Sequence, residues 1–143
     1  MKLAACIVNY RSGAFALTCA RSLLIEWERG GGRRAELELV VVDNASPETQ
    51  EAWLVQLEAL GALVLRSTEN LGYAGGVALG LSRAQPAEHV LVLNPDLVFL
   101  PGSLTALLAA AAERPEAGAL GPLAFVDPGC TLALPPVPEL TPL

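Results

Sequence analysis

Residues 37–46 read LELVVVDNAS, a Leu and Val run that ends abruptly in Asp43 and Asn44. Runs of this length and composition predict buried β-strands. The same arrangement recurs elsewhere, and three further strands are predicted at 3–8, 63–65 and 90–93. A weaker fifth strand is predicted at 119–126, although Gly121 and Pro122 interrupt it.

Between these runs, the chain has segments in which apolar residues recur at helical spacing. The predicted helices are 14–27, 46–60, 74–84 and 103–114. On the first of them, Ala16, Ala20, Leu23, Leu24 and Trp27 share one face. Alternation of strand and helix with short connections predicts an α/β fold with a mainly parallel sheet and helices on both faces.

Three local features predict how these elements are joined. Ser46-Pro47-Glu48 is typical of a helix start, with a capping hydroxyl followed by proline at the first helical position. Gly61 is expected to end that helix in the left-handed conformation. Residues 30–34, GGGRR, are interpreted as a flexible loop with two solvated arginines.

Composition excludes several classes of protein. A chain of 143 residues that is 52% hydrophobic and 17% charged can bury a core, which excludes intrinsic disorder and indicates one domain. A net charge of −6 argues against a nucleic-acid surface. Three cysteines and one histidine allow no zinc spacing. No apolar run reaches the length of a membrane span, and we expect a cytoplasmic location.

The polar residues that end each apolar run should line one edge of the sheet, because ligands of doubly wound sheets bind beyond the carboxyl ends of the strands. These residues are Asn9, Tyr10, Arg11, Asp43, Asn44, Asn94 and Asp96, together with segment 67–72. The set holds an arginine and two carboxylates but no nucleophilic triad, which favours phosphate chemistry over acyl transfer.

Each motif also has a plainer interpretation. Asn94-Pro95-Asp96 is either an ordinary turn or a carboxylate that binds Mg²⁺ or Mn²⁺ together with a diphosphate. Asp43 either accepts hydrogen bonds from a base or ribose, or only begins a turn. The glycine-rich segment 69–76 either approaches a ligand or packs closely on the sheet, and it matches neither the dinucleotide fingerprint nor the Walker loop.

Taken together and in order, four motifs resemble the family 2 inverting glycosyltransferases, and most of all their rhamnosyltransferase-like branch. The motifs are IVNYR at 7–11, VVDNAS at 41–46, ENLGYAGG at 69–76 and LNPD at 93–96. The resemblance covers about residues 1–126. It implies a Rossmann-like GT-A fold, a nucleotide-diphosphosugar donor and a divalent cation, Mn²⁺ or Mg²⁺.

The resemblance also implies a role for each matching residue. Asn9, Tyr10 and Arg11 would lie at the nucleotide pocket, and Asp43 would hold the base. Asn70 and Gly72 would border the donor. Asn94 would lie near the ribose or sugar, and Asp96 would coordinate the metal. In such enzymes an acceptor hydroxyl attacks the anomeric carbon while a carboxylate removes its proton, which inverts the configuration.

The sequence departs from the family pattern in three places. Val77 and Ala78 stand where the family usually has asparagine, and Asn94 replaces the first motif carboxylate. The acceptor-binding part with its catalytic base would follow about residue 127, whereas 127–143 is a proline-rich tail. Asp127 and Glu139 are poorly patterned, so no general base is identified.

Three functions therefore stay open. The first is a glycosyltransferase, or a piece of one, that transfers a sugar to an unknown glycan or lipid-linked acceptor. The second is a truncated, non-catalytic nucleotide-binding or interaction module, whose exposed apolar surface could form a homo-oligomer. A dinucleotide-binding domain is the weakest, because the fingerprint is missing from the first turn. The glycosyltransferase interpretation predicts that Asp43 and Asp96 face a common cleft.

Overall fold

The computed structural model describes residues 2–134 and shows a four-stranded parallel sheet. The strands are β1 (Leu3–Asn9), β2 (Leu37–Asp43), β3 (Leu63–Arg66) and β4 (His89–Leu93), in the spatial order β3-β2-β1-β4. The helices are α1 (Gly13–Arg29), α2 (Glu51–Ala59), α3 (Gly72–Arg83) and α4 (Ser103–Glu113). The four strongest strand predictions and the four helices are thus confirmed, with ends that differ by a few residues.

The strand order reverses at β1, since β2 and β3 lie on one side of it and β4 lies on the other. Right-handed crossovers then place α1 and α2 on one face of the sheet and α3 on the opposite face. Packing agrees with this arrangement, because α1 lies against α2 while α3 lies against β1 and β2. The predicted α/β fold with helices on both faces is confirmed.

The core is centred on β1 and β2, whose side chains are almost entirely buried. Helix α3 approaches them through glycine: a Cβ at Gly80 would lie 2.4 Å from Cys6 Sγ, and one at Gly76 would lie 2.7 Å from Val8 Cγ1. Both glycines, of which Gly76 belongs to the glycine-rich segment, therefore allow close packing on the sheet.

The predicted start of the second helix is wrong. Pro47 has an extended backbone, a 3₁₀ turn covers Glu48–Gln50, and α2 begins only at Glu51. Ser46 does not cap a helix, because its hydroxyl accepts a hydrogen bond from the Arg11 backbone N–H at 2.9 Å. Gly61 does end the helix as predicted, with a φ of 82°.

The loop at 30–34 is more ordered than a solvated linker. Trp27 Nε1 donates to the Arg33 carbonyl at 2.8 Å, and Gly32 lies against the indole ring. The Arg34 guanidinium donates to the carbonyls of Leu37, Leu60 and Gly61, which joins the end of α2 to the start of β2. Only Arg33 fits the expected solvated arginine, since its side chain is 79% exposed.

The fifth strand predicted at 119–126 does not form. A single antiparallel bridge pairs Phe125 with Ala133 across a turn. Asp127 organises this turn, because its carboxylate accepts hydrogen bonds from the backbone N–H groups of Thr131 and Leu132. Proline cannot donate to a sheet ladder, so Pro122 disfavours a strand here.

The chain divides after Thr105 into two compact units. The sheet with helices α1, α2 and α3 lies in the first unit, and the turn around Asp127 lies in the second. The boundary suggested by the sequence, after residue 126, falls inside the second unit. Across residues 2–134, the helices lack the combination of length and apolar character that crossing a membrane requires.

Candidate functional site

An open cavity of about 260 Å³ lies at the carboxyl ends of the strands, where the strand order reverses. Its lining combines hydroxyl, amide and aromatic groups with exposed backbone. The lining residues are Val8, Tyr10, Ser12, Asn44, Asn70, Gly72, Tyr73 and Pro95. This is the crevice in which open α/β sheets bind their ligands.

A buried hydrogen-bond network holds the ends of β1 and β2 together. Asn9, which is fully buried, donates from Nδ2 to Asp43 Oδ1 at 2.7 Å. The Asn9 Oδ1 accepts from the backbone N–H and the hydroxyl of Ser12, at 3.1 and 2.9 Å. Asp43 Oδ2 accepts from the Ser46 backbone N–H at 3.1 Å. Asn9 and Asp43 thus fix the two loops that follow their strands.

Two residues in these loops have a left-handed backbone without being glycine. Arg11 has a φ of 56° and Ala45 a φ of 62°. Such conformations cost energy in an L residue and persist where the surrounding contacts impose them. Here the Ser46 hydroxyl bridges the loops by accepting from the Arg11 N–H. The Arg11 guanidinium then lies over the Tyr10 ring, 5.0 Å from its centroid.

Asn44, which the sequence placed at the edge of the sheet without a specific role, organises part of the site. It is 2% exposed, and its Oδ1 accepts from the Leu71 backbone N–H at 2.8 Å. Its Nδ2 donates to Asn70 Oδ1 at 2.9 Å and to the Gly72 carbonyl at 3.1 Å. One amide therefore fixes the loop that enters α3. The available signal was an asparagine directly after the strand-end Asp43, a residue type that readily bonds to nearby backbone.

Asn94 and Asp96 follow β4, and both side chains are exposed. A 3.4 Å hydrogen bond from the Leu97 N–H to the Asn94 carbonyl forms the turn that the plainer interpretation expected. Within residues 2–134, the Asp96 carboxylate accepts no hydrogen bond and forms no ion pair. The turn therefore presents Asp96 to solvent without a partner.

The Asp96 carboxylate is a suitable ligand for a hard divalent cation. Mg²⁺ and Mn²⁺ prefer oxygen ligands, and a cation that binds together with a diphosphate uses only one or two carboxylates. In the described part of the chain, no group of three His, Cys, Asp or Glu side chains could hold a metal ion. A cation at Asp96 would therefore need the ligand's own oxygens.

The Cys19 thiol lies close to this turn. Its Sγ donates to the Asn94 carbonyl at 3.6 Å, and its side chain is fully buried. Burial raises the pKa of Cys19 to about 12, and the negative charge of Asp96 adds to the rise. The thiol is therefore protonated at neutral pH and acts as a hydrogen-bond donor, not as a nucleophile.

The structure places the eight predicted site residues unequally. Tyr10, Asn70 and Gly72 line the cavity, and Asn9 and Asp43 form the buried network at the ends of β1 and β2. Arg11 lies on the Tyr10 ring, while Asn94 and Asp96 lie on the turn after β4, beside the lining residue Pro95. Neither Asp43 nor Asp96 is among the residues that line the cavity.

The sequence and the fold of this chain have counterparts among known proteins. Residues 5–135 match the model of glycosyl transferase family 2. The chain belongs to glycosyl transferase family 2. It is 34% identical over 128 residues to an N-acetylglucosaminyl-diphospho-decaprenol L-rhamnosyltransferase of Mycobacterium tuberculosis strain H37Rv. That match covers 81% of this chain and 39% of the relative.

Solved structures identify the fold of this family 2 chain as GT-A. S. aureus TarS 1–349 in complex with UDP-GlcNAc superposes with a TM-score of 0.66 at 22% identity, over 80% of this chain and 32% of that chain. The mannosyltransferase PcManGT from Pyrobaculum calidifontis, in complex with GDP-Man and Mn²⁺, gives a TM-score of 0.62 at 21% identity, over 78% and 32%. The chain thus spans well under half the length of these proteins.

Proposed function

We propose that this chain is the donor-binding part of a glycosyltransferase and that its cavity binds a nucleotide-diphosphosugar. The observation that carries the proposal is the position and lining of the cavity. It opens where the strand order reverses, and side chains or backbone from the ends of β1, β2 and β4 and the start of α3 line it. The nucleotide sugars in the TarS and PcManGT complexes support the same class of ligand.

Each predicted site residue has a proposed place along such a donor, and three of them, Tyr10, Asn70 and Gly72, line the cavity. The Tyr10 ring and the Arg11 guanidinium offer flat surfaces to a base. Asp43 holds the base through a carboxylate whose oxygens each have a second lone pair, beyond the hydrogen bonds they already accept. Asn70 and Gly72 border the diphosphate and sugar, and Asn94 contacts the ribose or the sugar.

Asp96 would hold a Mn²⁺ or Mg²⁺ ion together with the diphosphate. When bound, such an ion neutralises negative charge on the departing nucleoside diphosphate. The absence of any competing hydrogen bond at Asp96 within residues 2–134 supports this role. The protein's part is to hold one hard carboxylate at the rim of the donor cavity.

The proposed reaction is transfer of the sugar with inversion to a glycan or lipid-linked acceptor in the cytoplasm. The acceptor hydroxyl would attack the anomeric carbon while the bond to the diphosphate breaks, and a carboxylate would take the proton. Asp127 does not suit that role. Hydrogen bonds from the backbone N–H groups of Leu132 and Thr131 lower its pKa, which makes it a weak base. Glu139 lies outside the described residues.

Nucleotide binding without turnover is the second candidate function. The observation that favours it is the engagement of Asp127, the one carboxylate after residue 126 that the structure describes, within its own turn. Incubation of the chain with a bound donor and a panel of glycan acceptors separates the two functions. Release of nucleoside diphosphate indicates a transferase, and unchanged donor indicates a binding module.

Ligand-linked stabilisation tests the proposed donor site. We expect millimolar uridine, thymidine or guanosine diphosphate with Mn²⁺ to raise the melting temperature, because a ligand at 100 times its Kd stabilises a protein by about 2.7 kcal/mol. Asp96→Ala should abolish the Mn²⁺-dependent part of the shift. Glu28→Ala, which removes an exposed carboxylate outside the four motifs, is the matched control and should keep it. No shift with any of the three nucleotides would overturn the proposal.

A further inference from the structure

Helix α1 carries polar residues on a side where a helix packed against its neighbours would normally be apolar. Cys19, Ser22, Glu26 and Gly30 follow one another at spacings of three, four and four residues, and they therefore form a stripe along the helix and its end. All four contact residues 94–105, the segment that begins with the Asn94-Pro95-Asp96 turn.

Successive residues of this stripe contact successive positions of segment 94–105. Cys19 Sγ donates to the Asn94 carbonyl at 3.6 Å, and Ser22 Oγ accepts from the Phe99 N–H at 3.1 Å. Glu26 Oε2 accepts from the Gly102 N–H at 2.5 Å. At Gly30, a Cβ would lie 2.9 Å from Thr105 Oγ1. The stripe therefore fixes the register of the segment as well as its distance from the helix.

Burial of the Glu26 carboxylate at this position is energetically unfavourable by itself. Glu26 is 2% exposed, and a buried carboxylate is destabilising unless hydrogen bonds and a counter-charge satisfy it. Here the Gly102 N–H satisfies one oxygen and an ion pair with Arg29 satisfies the other. An apolar side chain would fill the same space but could not bind the backbone of the segment.

Asp96 has no hydrogen bond of its own within residues 2–134, so the backbone around it determines where its carboxylate lies. That backbone is held at Asn94 before it and at Phe99 and Gly102 after it. We propose that Ser22 and Glu26 are positioning residues, which hold the Asp96 turn in register with the donor cavity and thereby set the metal-dependent part of nucleotide affinity. This inference rests on the proposed function.

The test compares two pairs of variants by isothermal titration with the nucleoside diphosphate that gave the largest melting shift, in Mn²⁺ and in EDTA. Ser22→Ala is matched by Ser82→Ala. Both hydroxyls donate to the carbonyl three residues earlier, but Ser22 alone also accepts from Phe99. Glu26→Gln is matched by Glu28→Gln, an exposed residue on the same helix.

We expect Ser22→Ala, which removes a hydrogen bond, to reduce the enhancement of affinity by Mn²⁺ roughly three- to tenfold. Glu26→Gln, which replaces a charged acceptor with a neutral amide and removes the ion pair with Arg29, should have a similar effect. The Kd in EDTA should change much less, because the contacts proposed for the base and the diphosphate lie on other loops. Ser82→Ala and Glu28→Gln should change neither value. Ser22→Thr, which keeps the hydroxyl, should restore the enhancement and controls for damage to the fold.

The two proposals fail in different ways. If Asp96→Ala abolishes the Mn²⁺ enhancement but Ser22→Ala and Glu26→Gln leave it intact, the positioning role is wrong and the donor site stands. An equal loss of affinity in Mn²⁺ and in EDTA would also contradict positioning, since it would indicate general damage. If the wild-type chain shows no Mn²⁺ enhancement at all, the proposed metal site fails and the positioning role fails with it.

Discussion

At the scale of single residues, Asn9 makes the hydrogen bonds that connect the loop after β1 to the end of β2. Its buried amide joins Asp43 to Ser12, so its removal leaves a buried carboxylate oxygen and a loop hydroxyl without their partners. Asn9→Ala should lower the free energy of unfolding by about 2–4 kcal/mol, measured by urea denaturation.

Gln56→Ala is a suitable control for that measurement, because Gln56 is exposed and its amide donates only to the Ala52 carbonyl of its own helix. It should change the free energy of unfolding by less than about 0.5 kcal/mol. Equal effects of the two substitutions would mean that the Asn9 network contributes nothing beyond an ordinary surface amide.

The buried thiols predict a dependence of stability on alkaline pH. Burial raises the pKa of Cys6 to about 11 and that of Cys19 to about 12, both from an ordinary value of 9.0. Between pH 9 and these raised pKa values, the folded state binds more protons than the unfolded state. The contribution of the thiols to the free energy of unfolding is therefore complete below pH 9 and is lost as the pH rises through 11 and 12.

Chemical denaturation at pH 8, 9 and 10 measures this dependence. The wild-type free energy of unfolding should fall more steeply above pH 9 than that of a Cys6→Ala, Cys19→Ala double variant, in which other titrating groups are retained. Parallel curves for the two proteins would show that the thiols do not titrate differently in the folded and unfolded chains.

The sequence predicted which residues lie at the strand ends better than it predicted their hydrogen bonds. Asn9 and Asp43 could be selected because polar residues directly after an apolar run lie at a strand end. The hydrogen bonds of Asn44, and those of Arg34 to Leu60 and Gly61, could not, because these partners lie 26 or more residues away in sequence. Ser46 misled for the same reason: a hydroxyl suited to a local cap is bound by a distant backbone N–H.

At the scale of elements, helix α3 depends on glycine for its distance from the sheet. Alanine is the better helix former by about 1 kcal/mol, but a Cβ at Gly80 would lie 2.4 Å from Cys6 Sγ and 3.1 Å from Val42 Cγ2. Gly80→Ala should therefore lower the free energy of unfolding, by about 1–3 kcal/mol.

The reverse exchange at an exposed position of α3 provides the comparison. Ala78→Gly should cost about 0.5–1 kcal/mol through helix propensity alone. A stabilising effect of Gly80→Ala in thermal denaturation would contradict the packing account, because it would show that propensity exceeds the steric conflict.

Strands and helices were predictable here because their apolar periodicities are strong and the strands of a covered parallel sheet are apolar throughout. The ends were less so. Helix α2 begins at Glu51 and not at Ser46, since the loop before it is drawn towards β1 by the contacts of Ser46 with Arg11 and Asn9. The strand predicted at 119–126 does not form, because Gly121 and Pro122 weaken strand pairing and no neighbouring apolar run supports it.

At the scale of the whole molecule, the sheet order explains why motifs far apart in sequence act together. The loops after β1, β2 and β4 and the entry to α3 meet where the strand order reverses, although they span residues 8–95. Family 2 membership follows from the match over 5–135, and the proposed donor site is inferred from the position and lining of the cavity.

The central claim is that one cavity binds the nucleotide diphosphate beside a cation held at Asp96. Paramagnetic broadening of amide resonances by Mn²⁺, recorded by NMR with a nucleoside diphosphate present, tests it most directly. The account predicts that Gly72, Tyr73, Asp96 and Leu97 broaden first, while Lys2 and Leu37 at the opposite edge of the sheet stay sharp. Broadening that is uniform along the chain, or centred away from the turn after β4, would contradict it.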